Sequence, residues 1–347
     1  MHAASVVQRP RSRNRVLALV MAIWIAVGSL FTPAYTPVAR AATFTVTTSA
    51  DSGPGSLRQA IEDANASSGP DTISFNIAGT GVQTIAPASA LPIISEDVTV
   101  DGLTQPGASC AAWPPTLAIE LDATNAGGYA LRVNAGSLTL RGLMINRYSV
   151  DGVFLNGPAG LGSSSGNVFE CNFIGTDASG AAALGNGQSA IFANGASNNL
   201  IGGPAIGQRN VIAGNNGFEQ LRMAGSNGNI IQGNYIGTNV NGTAVLGSSN
   251  SRPILITGSN NLIGGTSGTT PGSCTGACNI IAGGNAFQIW ISAPGITDNV
   301  VQGNHIGVDA SGTTAIGSTS VGIQIDSGAT NTAIGSTDPA GRNIIGG

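Results

Sequence analysis

Few side chains in this 347-residue chain are equipped for chemistry. A polysaccharide lyase needs clustered acids beside a basic residue, and a glycoside hydrolase needs two carboxyl groups within about 5 to 9.5 Å. Arg141, Arg147, Asp151, Glu170 and Asp177 form the one neighbourhood in sequence that offers such groups, although nothing in their spacing places them on one face. Phe173, Tyr235 and His305 hold one equivalent position in three related segments, so a row of rings could stack against sugars along a surface. Cys274 and Cys278 lie close together in a Gly/Ser/Thr-rich segment, which predicts a local disulfide staple. Cys110 and Cys171 could form a second bridge, but spacing alone leaves all three connectivities open. A zinc site is the weaker reading, because no second close cysteine pair exists and His305 is the only histidine besides His2. No catalytic residue and no cofactor is assigned, and calcium enters only under a lyase reading.

The elements that would position these residues are repeats. Asn167-Val-Phe-Glu-Cys-Asn-Phe-Ile-Gly175 returns as Asn229-Ile-Ile-Gln-Gly-Asn-Tyr-Ile-Gly237 and as Asn299-Val-Val-Gln-Gly-Asn-His-Ile-Gly307, at intervals of 62 and 70 residues. Ser197-Asn-Asn-Leu-Ile-Gly-Gly203 returns at Ser259, and Asn210-Val-Ile-Ala-Gly-Asn215 at Asn279 and Asn343, always in the same order. Each segment carries too few apolar residues for a core of its own, so the segments must stack coil on coil. Short strands without intervening helices predict an all-β solenoid, a right-handed parallel β-helix by the usual hand of parallel crossovers. Asparagines at strand starts (Asn167, Asn199, Asn229, Asn261, Asn279, Asn299) read as stacked amide ladders. The turns Thr176–Gly180, Thr238–Gly242 and Val308–Gly312 read as Asx-turns rather than calcium loops, since the further acids of such a loop are missing.

Residues 42–105 differ from the repeats. Thr43 to Thr48 alternate like a strand, and Ser56-Leu57-Arg58-Gln59 has capping-box form ahead of Leu57, Ala60, Ile61 and Ala64 at helical spacing. Such a helix would cover the first coil's apolar cross-section. Ahead of it, residues 1–41 read as a signal peptide: four arginines precede an apolar stretch from Val16 to about Phe31, and Ala39-Arg40-Ala41 suits cleavage before Ala42. Eight arginines against 17 acids leave the mature chain at −9. Lysine is absent, so neither nucleic acid nor an anionic membrane is an expected partner, and no span follows the leader. P-loop and H-E-x-x-H motifs are absent.

Gly55-Ser56-Leu57-Arg58-Gln59-Ala60-Ile61, Asp101-Gly-Leu-Thr-Gln-Pro-Gly107, Gly233-Asn-Tyr-Ile-Gly-Thr238 and Asn210–Asn215 together resemble bacterial secreted β-helix repeat proteins. These carry an N-terminal segment named for a Cys-Ser-Leu-Arg-Glu-Ala motif, of which this chain has replaced the cysteine and glutamate. The resemblance implies a pectin-lyase-like superfold over residues 44–347 and an extracellular or cell-surface place, without an activity. The expected function is a non-catalytic, adhesin-like module binding an extracellular polysaccharide or cell-surface glycan, with a polysaccharide lyase or glycoside hydrolase as the alternative. Repeats over 106–347 end inside an element, which predicts an incomplete solenoid whose C-terminal edge pairs with further repeats or another chain.

Overall fold

The computed structural model describes Met1 and residues 40–124, 126–157, 164–247, 252–270, 272–317 and 321–346. The expected signal peptide lies almost wholly outside these residues. From Val98 to Asp326 each turn of the described chain adds one strand to each of three all-parallel sheets, and partial turns at either end bring these to ten, nine and seven strands. Leu138–Arg141, Leu143–Asn146 and Val153–Asn156 make one coil, and Val168–Glu170, Phe173–Ile174 and Ile191–Asn194 the next. This is a parallel β-helix. Along the first sheet the inward residues Leu140, Phe169, Ile201, Ile231, Ile263 and Val301 stand in register and are wholly buried. One coil contributes a single such residue per strand position, so the interior exists only through stacking.

The predicted helix spans Leu57–Ala66 and buries Leu57, Ala60, Ile61 and Ala64. Ser56 Oγ accepts from the Gln59 amide at 3.2 Å, as a cap should. The reciprocal half of the capping box is not made: the Ser56 backbone N–H donates to the Gly53 carbonyl at 3.1 Å, and the Gln59 side chain turns to Asp63, donating to it at 2.8 Å. The helix packs on Thr43–Val46 and Asp71–Phe75, the first two strands of the first sheet. That sheet continues without interruption across residue 105, through Val98–Asp101 to Leu138–Arg141.

Asparagine amides fix the coils to one another. Asn167, Asn199, Asn229, Asn261 and Asn299 form a buried ladder, each side chain donating to the next at 2.7 to 3.0 Å over steps of 32, 30, 32 and 38 residues. The sequence period of 62 and 70 residues therefore covers two coils. Asn279 belongs to a second ladder, with Asn172, Asn210, Asn234, Asn304 and Asn343, at the corner between the first and second sheets. Two kinds of coil alternate. One turns tightly at that corner and then extends a loop (176–184, 238–246, 308–316), while the other makes its long connection at the corner itself.

Candidate functional site

Phe173, Tyr235 and His305 each open a second-sheet strand, at Phe173–Ile174, Tyr235–Ile236 and His305–Ile306. Register inserts Val211 and Ile280 between them, so the rings stand two coils apart. They point away from the helix interior yet are only 1, 6 and 3% exposed. Each following loop folds back over its ring through Gly180, Gly242 or Gly312, at φ of 65, 61 and 72°, where a Cβ would strike the ring. In those loops Asp177 accepts from the amides of Ala181 and Ala182, and Asp309 from Thr313 and Thr314, so each carboxylate bridges its own loop four and five residues on, wider than the expected Asx-turn. Trp113 stacks on Tyr235 with ring centroids 4.9 Å apart and meets Phe173 edge-on at 6.5 Å. Its indole N–H donates to the Val240 carbonyl at 2.8 Å. A sugar-stacking row at these three positions is thus corrected: the protein itself occupies the ring faces.

Both disulfides are present, Cys110–Cys171 and Cys274–Cys278, and the first ties the Trp113 segment down over the second sheet. Among the described residues no helix is long and apolar enough to cross a membrane.

The acids and arginines of the enzyme alternative are dispersed. Arg141 and Glu170 are register neighbours in the first sheet, but Arg141 pairs with Asp101 at 2.7 Å and Glu170 accepts from Gln208 at 2.8 Å. Arg147 clamps Asp122 through two bonds of 2.8 Å, with Glu120 at 3.7 Å, at the end of the second sheet. The guanidinium holds the Asp122 carboxyl down at about 2. Asp177 serves its own turn. Asp151 lies just ahead of the third-sheet strand Val153–Asn156, 1% exposed, accepting from the Ser189 amide at 2.8 Å.

The third sheet carries what the sequence reading missed. Its seven strands have the middle residue of an apolar triplet facing out, and register aligns Arg132, Phe154, Phe192, Arg222, Leu255, Trp290 and Gln324 in one row. At the usual strand spacing of about 4.8 Å the row runs roughly 29 Å. Tyr129 leans on Phe154, whose ring meets Phe192 edge-on at 5.2 Å. Arg222 lies over Phe192 at 4.5 Å, and Arg252 over both Trp290 at 4.6 Å and Phe218 at 5.5 Å. Arginine above a ring keeps its N–H donors free for a ligand while the ring orders it.

Beside the row opens a cavity of about 440 Å³, walled by Gln188, Ser189, Phe218, Glu219 and Arg222. Phe218 stands at its lip, 65% exposed. Burial raises the Glu219 carboxyl, against the pull of Arg252 and Arg222. Behind Ser189, burial lifts Asp151 to about 6; the Ser189 amide and Arg222 oppose the rise and the Glu219 charge adds to it. Arg222 Nε is buried without a partner.

Fold and face together define the class: a parallel β-helix with one aromatic–arginine surface. No protein-family model matches the chain, and no curated protein matches it in sequence. Among solved structures it is similar to the Azotobacter vinelandii mannuronan C-5 epimerase AlgE6 A-module, at 13% identity and a TM-score of 0.29, over 84% of this chain and 97% of that one. It is also similar to ORF18 of Geobacillus virus E2, at 11% identity and a TM-score of 0.22, over 96% of this chain and 66% of that one. Likenesses this distant carry no functional argument.

Proposed function

We propose that the chain is a secreted or surface-displayed polysaccharide-binding module, and that the sugar chain lies along the outer face of the third sheet. The observation that carries this reading is the in-register row of Arg132, Phe154, Phe192, Arg222 and Trp290. A straight, sheet-backed row of rings and fixed N–H donors matches a repeating ligand with apolar ring faces and polar edges, and the Glu219 notch offers an acceptor for its hydroxyls. The test is a glycan array and a set of binding titrations on the full chain. Phe192→Ala and Trp290→Ala should each weaken binding by at least about tenfold, the usual cost of removing a central aromatic anchor. Unchanged affinity in both variants would remove this face from consideration.

One observation favours cleavage as a second reading. Glu219, raised by burial, walls the notch, and Asp151, lifted to about 6, is the nearest second acid, bonded to the Ser189 amide of the same wall. Asp151 lies behind Ser189, however, and does not wall the cavity, which favours recognition over chemistry. Product release from the bound polysaccharide, abolished by Glu219→Gln with binding retained, would reverse that preference.

A further inference from the structure

The sequence leaves the Cys274/Cys278 pair without a histidine; the fold supplies one. The cysteines lie in the long corner connection that leads to the strand Ile280–Ile281, and His305 is the register neighbour of Ile280 on the next coil. Both sulfurs and a His305 ring nitrogen lie within 4.8 Å of one another, all three residues buried. Among the described residues this is the one such grouping of three potential metal ligands. His305 Nδ1 is 2.9 Å from the Asp309 carbonyl oxygen. A carbonyl only accepts, so Nδ1 carries the proton and Nε2 keeps its lone pair. A cavity of about 10 Å³ adjoins Cys278 and His305, walled also by Thr270, Ser273 and Arg342. That is room for one water.

We propose that Cys274, Cys278 and His305 form a zinc site that the disulfide closes and reduction opens. A dithiol or phosphine reductant gives two electrons to the Cys274–Cys278 bond and is itself oxidised, leaving two thiols. Zn²⁺ then displaces both thiol protons to solvent and is held by two thiolates and the His305 imidazole, with a water from the adjoining cavity as fourth ligand. Two thiolates neutralise the ion, and Arg209 donates to the Cys274 carbonyl at 3.5 Å, fixing the backbone beside the first sulfur. Thiolate and imidazole select zinc over calcium or magnesium, so the site is independent of any calcium-dependent chemistry and of the glycan face.

The test uses the full chain, reduced with a phosphine and freed of metal, with Co²⁺ as a coloured probe followed by Zn²⁺. One Co²⁺ per chain should give thiolate-to-cobalt absorption that Zn²⁺ bleaches, and the oxidised chain should give none. His305→Ala should weaken Zn²⁺ by at least about tenfold. A chain carrying Cys110→Ser and Cys171→Ser should keep the signal. If reduction lowers the far-ultraviolet β signal of that double-serine chain, Zn²⁺ should restore it. No cobalt band in the reduced chain, a band indifferent to His305→Ala, a band that requires Cys110 and Cys171, or a lost β signal that Zn²⁺ does not restore would each overturn the proposal.

Discussion

Asp151 shows what one buried residue asks of the rest. Its carboxyl is 1% exposed and is raised from 3.8 to about 6, chiefly by burial, with Glu219 adding and the Ser189 amide and Arg222 opposing. An acid whose pKa rises on folding holds its proton more tightly in the folded chain. Folding is therefore penalised above about pH 6, and the penalty fades as pH falls toward 4. Asp151→Asn keeps an oxygen for the Ser189 amide and removes the charge. It should stabilise the chain by about 2 kcal/mol at pH 7.5 and by almost nothing at pH 4. Urea unfolding at the two values reads this directly, and an equal gain at both would show that the penalty is not electrostatic.

At the scale of elements the asparagine ladders hold successive coils in register. Asn234 accepts from the Asn210 amide N–H and side chain, and donates to the Ile201 carbonyl at 2.8 Å and to Asn279 at 3.1 Å. Asn234→Ala would leave these buried groups without partners, so it should cost more than about 3 kcal/mol in chemical denaturation, far beyond the size of its side chain. The ladders are legible because their pattern repeats along the chain, and the helix cap because Ser56 and Gln59 stand three residues apart ahead of a helical apolar spacing. Phe173, Tyr235 and His305 are each closed to sugar by the loop that follows them, and the first two also by Trp113, which no spacing connects to them. The third-sheet face did leave a signal: Leu131-Arg132-Val133, Val153-Phe154-Leu155, Ile191-Phe192-Ala193, Leu221-Arg222-Met223 and Ile289-Trp290-Ile291 all place one protruding residue between two inward ones. Loops of unequal length separate those triplets, so only the strand register aligns them. The same irregularity hid the approach of His305 to Cys278.

For the whole molecule, the question is how far a local loss spreads. A solenoid coil contacts mainly its neighbours, so damage should stay near its origin. Cys110–Cys171 closes a separation of 61 residues and holds Trp113 over two coils. Constraining a chain loop of that length contributes up to about 4 kcal/mol by chain entropy. Replacing both cysteines with serine should therefore lower global stability by no more than that. Its local effect should be larger: residues 105–117 lift, and the amides of Phe173–Ile174 and Tyr235–Ile236 exchange hydrogen faster as their cover departs. The outer face of the third sheet draws nothing from this strap, so exchange at Phe192 and Trp290 and the affinity for polysaccharide should be unchanged. Hydrogen exchange rising evenly across all three sheets would instead mean that the coils unfold as one unit, with the strap stabilising the entire helix rather than one wall of it.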